Sequence, residues 1–451
     1  MALWFMNVML FCHCVYLVIY SLFRCCQLVS WWLTGVQSHL KSCRNGNNYE
    51  SSAQLLRVWF RSSGRAINVN LRHHFLSTHV RFVHPTYALQ KNITLMTVTD
   101  TEAIFSISDE NEDIYDVRKW IFVAASQSVT TKYLLIMPIS SMVKLGEELG
   151  DPKTKVIWIY HTGRCGSTAL CQVFNALPDV VSISEPNCVL SLDQTLKKKA
   201  LDENKPSWLS SSEYLKIYQN TIRLLLKPYQ KEASVFAVKS HGLTTELNLQ
   251  LIPKLFPDFI GIFMYRNPRE QITSLYRVLK GLHPHEEWNL SIIRHPVLSL
   301  ILPNIQLSAL TLAGCNDPKH LQWLFRKENK ILSDEFIFAV IQFAETCFHY
   351  KEVVGEGAPI VAIKYELFQQ NKCKFFEAIF HHSGLELTSE REALIDIALS
   401  EDSQKGTPLE KSVLAQKKIN ITTEMIDNAN RYLKYYDLPG WGDSLTLPNT
   451  M

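Results

Sequence analysis

"VIWIYHTGRCGSTALCQVF", residues 156–174, decides how the rest of the chain is read. Val156, Ile157, Trp158, Ile159 and Tyr160 are the β-branched and aromatic run of a buried strand. Small residues around Gly163 and Gly166 follow, and from Ser167 onward apolar residues return at helical spacing. A strand, a tight loop and a helix in that order aim backbone N–H groups at an anion. An NTPase loop of the form GxxxxGK[ST] needs a lysine to bridge phosphates and a Ser/Thr to hold magnesium. Here Gly163-Arg164-Cys165-Gly166-Ser167-Thr168 has no lysine after Gly166, and Arg164 is its fixed charge. The loop therefore predicts a terminal phosphate wrapped by backbone amides, without the usual supports of γ-phosphate transfer.

Downstream, strands alternate with helices. "VVSIS" at 180–184, "SVFAVKS" at 234–240, "FIGIFMY" at 259–265 and "PIVAIKY" at 359–365 read as buried strands. Helical spacing is found over 167–177, 212–227, 334–354 and 423–436. The pattern predicts an α/β fold of the P-loop type, three layers deep with a central parallel sheet. Such sheets bind ligands at the carboxyl ends of their strands, so the loops after Tyr160, Ser184, Ser240 and Tyr265 are expected to ring one crevice. "FMYRNPREQITSLYRV" puts Arg266 at a strand end, Pro268 at a helix start and Ser274 two turns in. A guanidinium and a hydroxyl beside a helix N-terminus suit a dianionic phosphate. With the loop, they describe a nucleotide phosphorylated at two separate positions.

The N-terminal third reads differently. Residues 2–23 carry no charge and are long enough to cross a bilayer, so 1–36 is expected to be a single-pass membrane anchor, with Trp31 and Trp32 at the interface. Arg24, Lys41, Arg44, Arg57 and Arg61 follow the span and favour a cytosolic body. The sequons Asn92-Ile93-Thr94, Asn289-Leu290-Ser291 and Asn420-Ile421-Thr422 suit a lumenal one. Residues 37–78 read as a stem, and 79–150, with runs such as "NITLMTV" and "KYLLIMP", as a β-rich accessory region. The remaining 151–451 form the main domain. A net charge of +3 gives no basic field for nucleic acid, and the cysteines lack metal-ligand spacing. His283, His285, His381 and His382 read as surface residues, and no metal is expected.

The motifs from 155 to 387 together resemble the sulfotransferases that use 3′-phosphoadenylyl sulfate (PAPS). In that family a lysine-less loop, PKSGTT or PRSGTT, takes the 5′-phosphosulfate, and Gly163, Arg164, Cys165, Gly166, Ser167 and Thr168 match it. An arginine followed eight residues later by serine holds the 3′-phosphate, as Arg266 and Ser274 are spaced. Lys239-Ser240-His241 is similar to the family's K-T-H strand end, and Tyr365, Glu366 and Gly384 to its YEDL-then-LGL segment. Ala169 replaces the usual aromatic after the loop, and the RKGxxGDWK segment is absent, with "SQKGTPL" and Lys405 as a substitute.

The resemblance implies transfer of a sulfuryl group to a hydroxyl or amine, with PAPS as co-substrate. The anchor adds a carbohydrate acceptor and the Golgi. Two residues compete as general base: His241, and Glu185, which sits where membrane-type members carry a glutamate. Lys239 and Arg164 would stabilise the departing phosphate. The other readings are an ATP-dependent phosphotransferase and an inactive binding protein of the same fold.

Overall fold

A computed structural model describes residues 2–62, 72–202, 211–229, 233–281 and 334–451. The sequon at Asn289, together with His283 and His285, lies outside them. Ten strands are described: β1 (Ala53–Arg61), β2 (Phe75–Val83), β3 (Ile93–Val98), β4 (Glu102–Ile107), β5 (Tyr133–Pro138), β6 (Lys155–His161), β7 (Val180–Ser184), β8 (Val235–Lys239), β9 (Ile260–Tyr265) and β10 (Ile360–Lys364).

The last five form a parallel sheet in the order β10-β9-β6-β8-β7. Successive side chains of a strand point to opposite faces, and β6 obeys this closely. Trp158 and Tyr160 pack on one face with Phe263, Tyr218 and Tyr350, while Ile157 and Ile159 pack on the other with Leu170, Phe174 and Phe380. Helices cover both faces, which is the three-layer α/β architecture expected. The order turns at β6, with β8 on one side and β9 on the other. That topological switch point opens a crevice at the carboxyl end of β6.

The first five strands form an antiparallel sheet in the order β2-β1-β5-β4-β3. It begins at Ala53, inside the stretch read as a stem. "AQLLRVWFR" hides its strand because its first four residues are buried on both faces, while Trp59 and Phe60 further along are exposed. Leu55 joins the main core, whereas Leu56 joins a second cluster with Phe75, Met96, Leu134 and Trp31. A strand buried on both sides loses the polar–apolar alternation that would betray it.

The apolar segment is a single helix, Ala2–Leu33, that runs on through Arg24. Its stretch Cys14–Leu33 is long and apolar enough to cross a membrane, with mean hydropathy 1.4. One stripe of the helix docks on the antiparallel sheet. Tyr16 donates to the His73 carbonyl, Gln27 to that of Ser77 at 2.6 Å, and Trp31 meets His79 edge-on. Trp31 is therefore buried at 4% exposure, correcting its placement at a membrane interface, while Trp32 stays 72% exposed.

Candidate active site

The loop after β6 is held open by backbone geometry. Gly163, Arg164 and Gly166 all take positive φ, at 80°, 50° and 85°. Such a conformation is strained for arginine, and strain of this kind persists only where the surroundings enforce it. His161 is one enforcer: its Nδ1 accepts from the Gly163 N–H at 2.9 Å, and its Nε2 meets the Ser240 carbonyl at 2.8 Å. These partners fix a neutral ring with the proton on Nε2. Gln271, from the helix Pro268–Gly281, is another, donating to the carbonyls of Thr162 and Gly163.

Burial, then the nearby Lys239 charge, pushes the His161 pKa down from 6.5 to about 4. A histidine whose folded pKa is lowered binds its proton more readily when unfolded. Stability should therefore fall as pH drops below 6.5 and go on falling to about 4. The loss should reach about 3 kcal/mol, and His161→Asn should flatten that part of a urea-melt series against pH.

Gly166 sits against the Tyr365 ring. A Cβ there would meet Tyr365 Cε2 at 2.6 Å, besides being strained by its φ. Gly166→Ala should cost at least about 2 kcal/mol of stability. Thermal melts should show Tyr365→Leu recovering part of that loss.

The loop opens into a cleft of about 660 Å³, a volume suited to a nucleotide-sized ligand. All four strand-end loops named from the sequence line it, through Ser167, Glu185, His241 and Arg266, and Tyr365 after β10 joins them. Arg164 and Ser274 meet directly, the guanidinium Nε donating to Ser274 Oγ at 3.2 Å, while Nη1 donates to Gln404 Oε1 at 2.7 Å. The sequence reading paired Ser274 with Arg266 instead. Arg266 lies over the Tyr365 ring at 5.0 Å, with Nε 3.9 Å from Glu366 Oε1. That Nε is buried and has no hydrogen-bond partner, an unusual state for a guanidinium. It leaves a cation with a donor unused at the cleft wall.

One residue, Lys405, departs from the reading, while Cys165 agrees with backbone-only binding by the loop. Cys165 turns its side chain into the core, where Sγ donates to the Met264 carbonyl at 3.3 Å, so it offers an anion only its backbone. Lys405 pairs with Glu401 at the surface, and Gln404 beside it faces the cleft. The Arg164–Gln404 contact spans 240 positions and has no local signature.

Between the loop and β7 lies a second cluster. The Lys239 side chain is 2% exposed, and its Nζ donates to Thr168 Oγ1 at 3.0 Å and stands 2.7 Å from Glu185 Oε1. Glu185 takes φ 54°, with its N–H donating to the Lys239 carbonyl at 3.0 Å. His241 Nε2 lies 3.6 Å from Glu185 Oε2, and its Nδ1 accepts from the Leu243 N–H at 3.1 Å. Burial acts to raise the Glu185 pKa, but Lys239, His241 and His161 together hold it below the usual carboxylate value. Burial lowers that of His241. The arrangement is a carboxylate kept ionised by a buried ammonium, next to a neutral imidazole. Among the described residues, no group of three or more His, Cys, Asp or Glu is gathered as a metal would require.

No family model matches the chain, and no curated protein matches it by sequence. Solved structures similar to it include the sulfotransferase STF9 from Mycobacterium avium, at 13% identity and TM-score 0.38, covering 68% of this chain and 83% of that one. The sulfotransferase domain from the curacin biosynthetic pathway is similar at 13% identity and TM-score 0.34, covering 64% and 100%. A sulfotransferase from Alicyclobacillus acidocaldarius is similar at 12% identity and TM-score 0.29, covering 63% and 92%. Identity at this level says nothing of donor or acceptor.

Proposed function

We propose that this protein is a sulfotransferase moving the sulfuryl group of PAPS to a hydroxyl or amine of an acceptor, a carbohydrate in the first instance. The observation that carries the reading is one cleft holding two cationic anchors, Arg164 on the loop and Arg266 at the end of β9, with a Lys239–Glu185 pair beside them. The amides of residues 163–168 would take the 5′-phosphosulfate, and Arg266 and Ser274 the 3′-phosphate, with Arg164 reaching between them.

The acceptor oxygen attacks sulfur in line, and the bond from sulfur to the phosphate oxygen breaks as the new one forms. Glu185 takes the acceptor's proton. Lys239 and Thr168 offset the charge gained by the departing phosphate. Support for Glu185 over His241 as the base comes from hydrogen bonding. His241 Nδ1 is already an acceptor for Leu243, so a neutral ring carries its proton on Nε2, the nitrogen that faces Glu185. His241 thus has no free lone pair to offer and acts as a positioning residue.

The Ala2–Leu33 helix would attach the protein to a membrane, the Golgi being the compartment proposed. Its docked stripe would hold the body against the bilayer surface rather than on a loose stem. Transfer of radiolabelled sulfate from PAPS to a panel of glycans, peptides and small alcohols tests the reading. Magnesium-dependent ATP turnover by a protein that ignores adenosine 3′,5′-bisphosphate would replace it with phosphoryl transfer.

A further inference from the structure

The stretch long enough to cross a membrane, Cys14–Leu33, is almost the same stretch that docks on the protein's own body. The contacts step in order along the chain that enters and forms β2: Tyr16 reaches His73, Gln27 reaches Ser77 and Trp31 reaches His79. From Tyr16 to Trp31 a helix rises about 22 Å, and extended chain from 73 to 79 covers about 20 Å. Helix and strand therefore run side by side. β2 is the edge strand of its sheet and pairs with β1 alone.

A helix fastened in this way cannot stand across a bilayer. The hydrocarbon core is about 30 Å thick. Ahead of Tyr16, residues 2–15 rise only about 21 Å. A crossing long enough would draw the edge of β2, with His73 and His79, into the hydrocarbon, where open sheet edges do not occur.

The opposite side of the helix is uncovered. Phe11, Val18, Leu22, Val29, Trp32 and Leu33 are each more than half exposed. At about 3.6 residues per turn, all but Trp32 fall within one narrow stripe, opposite Tyr16, Gln27 and Trp31. Arg24 is the helix's one arginine, and it is turned away from that stripe. It bonds to Gln27 and lies 5.0 Å over the Trp31 ring. Charge names the occupant. Arg72 and Arg44 stand 3.0 and 3.9 Å from Glu102, and Arg24 feels the charges of all three. Three guanidinium groups share one carboxylate, which suits anionic lipid headgroups.

We infer that the Ala2–Leu33 helix lies along a single leaflet rather than across the membrane, with its uncovered stripe in the acyl chains and Arg24, Arg44 and Arg72 beside anionic headgroups. The N-terminus and the cleft then face one compartment. An amphipathic helix lying in the interface plane has this division of apolar and cationic sides. The inference rests on the membrane attachment proposed above and deepens it, without depending on the reaction in the cleft.

Sealed vesicles of one orientation, carrying the full-length protein tagged at both termini, are treated with a protease that cannot pass the bilayer. Both tags should be cut together or protected together. One cut and one protected means a spanning helix and overturns the inference, as does an N-terminal tag missing from the mature protein, the mark of a cleaved leader. Detergent-purified protein should also bind vesicles of phosphatidylcholine with phosphatidylserine at least about tenfold better than phosphatidylcholine alone. The double variant Val18→Asp with Val29→Asp should lose at least about tenfold of that binding while its thermal melt stays that of the parent. Binding indifferent to phosphatidylserine or to the two aspartates contradicts the inference. So does a dimer on sizing that the aspartates make monomeric without any vesicle binding, which would give the stripe to a second copy. Absence of sulfate transfer would sink the sulfotransferase reading and leave this inference standing.

Discussion

Glu185→Gln should lower kcat for sulfuryl transfer by about a thousandfold, within the range that loss of a positioned general base brings, while affinity for adenosine 3′,5′-bisphosphate stays within a few-fold. The amide keeps the size of the carboxylate and its contact with Lys239 but cannot take a proton. Stopped assays of kcat and KM, with calorimetry on the same preparation, separate the two effects. His241→Asn should cost far less, because its ring acts through Glu185. The pH profile carries the same sign. Glu185 is held below the usual carboxylate value of 4.5, so its basic form is complete at neutral pH. The rate should be flat from pH 6 to 8 as far as this group is concerned, and fall only as acid reaches the carboxylate. A profile rising through pH 6 to 7 in the parent and absent from His241→Asn would make the imidazole the base instead.

Lys239→Met should destabilise the protein by about 3–5 kcal/mol at neutral pH, the usual consequence of removing one partner of a buried ion pair. The lysine side chain is 2% exposed and its ammonium is bonded to both Thr168 and Glu185, so its loss leaves a carboxylate in a dry site without its cation. The sign follows from the pair. Glu185, no longer held down by its largest opposing charge, takes up a proton at higher pH, and the deficit shrinks as pH falls. The double variant Lys239→Met with Glu185→Gln should recover much of the loss, because no unpaired charge is left. Urea melts of the four proteins around this cycle give the coupling directly. Full additivity would mean that the two side chains do not depend on one another.

The parallel sheet was legible because its strands are short β-branched runs separated by helix-length gaps. The expected run at 180–184 is β7, and that at 259–265 contains β9 with one residue to spare. The anion loop was legible for a similar reason, since its glycines mark positive φ at Gly163 and Gly166. What escaped was contact at long range. Gln404 meets Arg164 across 240 positions, and nothing local to "SQKGTPL" distinguishes it from Lys405, which faces solvent instead. His161 was passed over because a histidine ending a strand looks like any other. Only the fold brings the Gly163 amide and the Ser240 carbonyl to its two nitrogens. Phe122 lay in the segment read as an accessory, and its nearness to Lys239 depends on long-range contacts such as those of Gln127 with β3, the edge strand of the antiparallel sheet. The strand in the supposed stem was hidden because its first half is buried on both faces, leaving no alternation there.

Titration calorimetry of the full-length protein with adenosine 3′,5′-bisphosphate is the most direct measurement. The account predicts one site per chain, weakened at least tenfold by either Arg164→Ala or Arg266→Ala, since both cations would meet phosphate groups of one ligand. No heat with the bisphosphate, or binding that is indifferent to one of the two arginines, would contradict it.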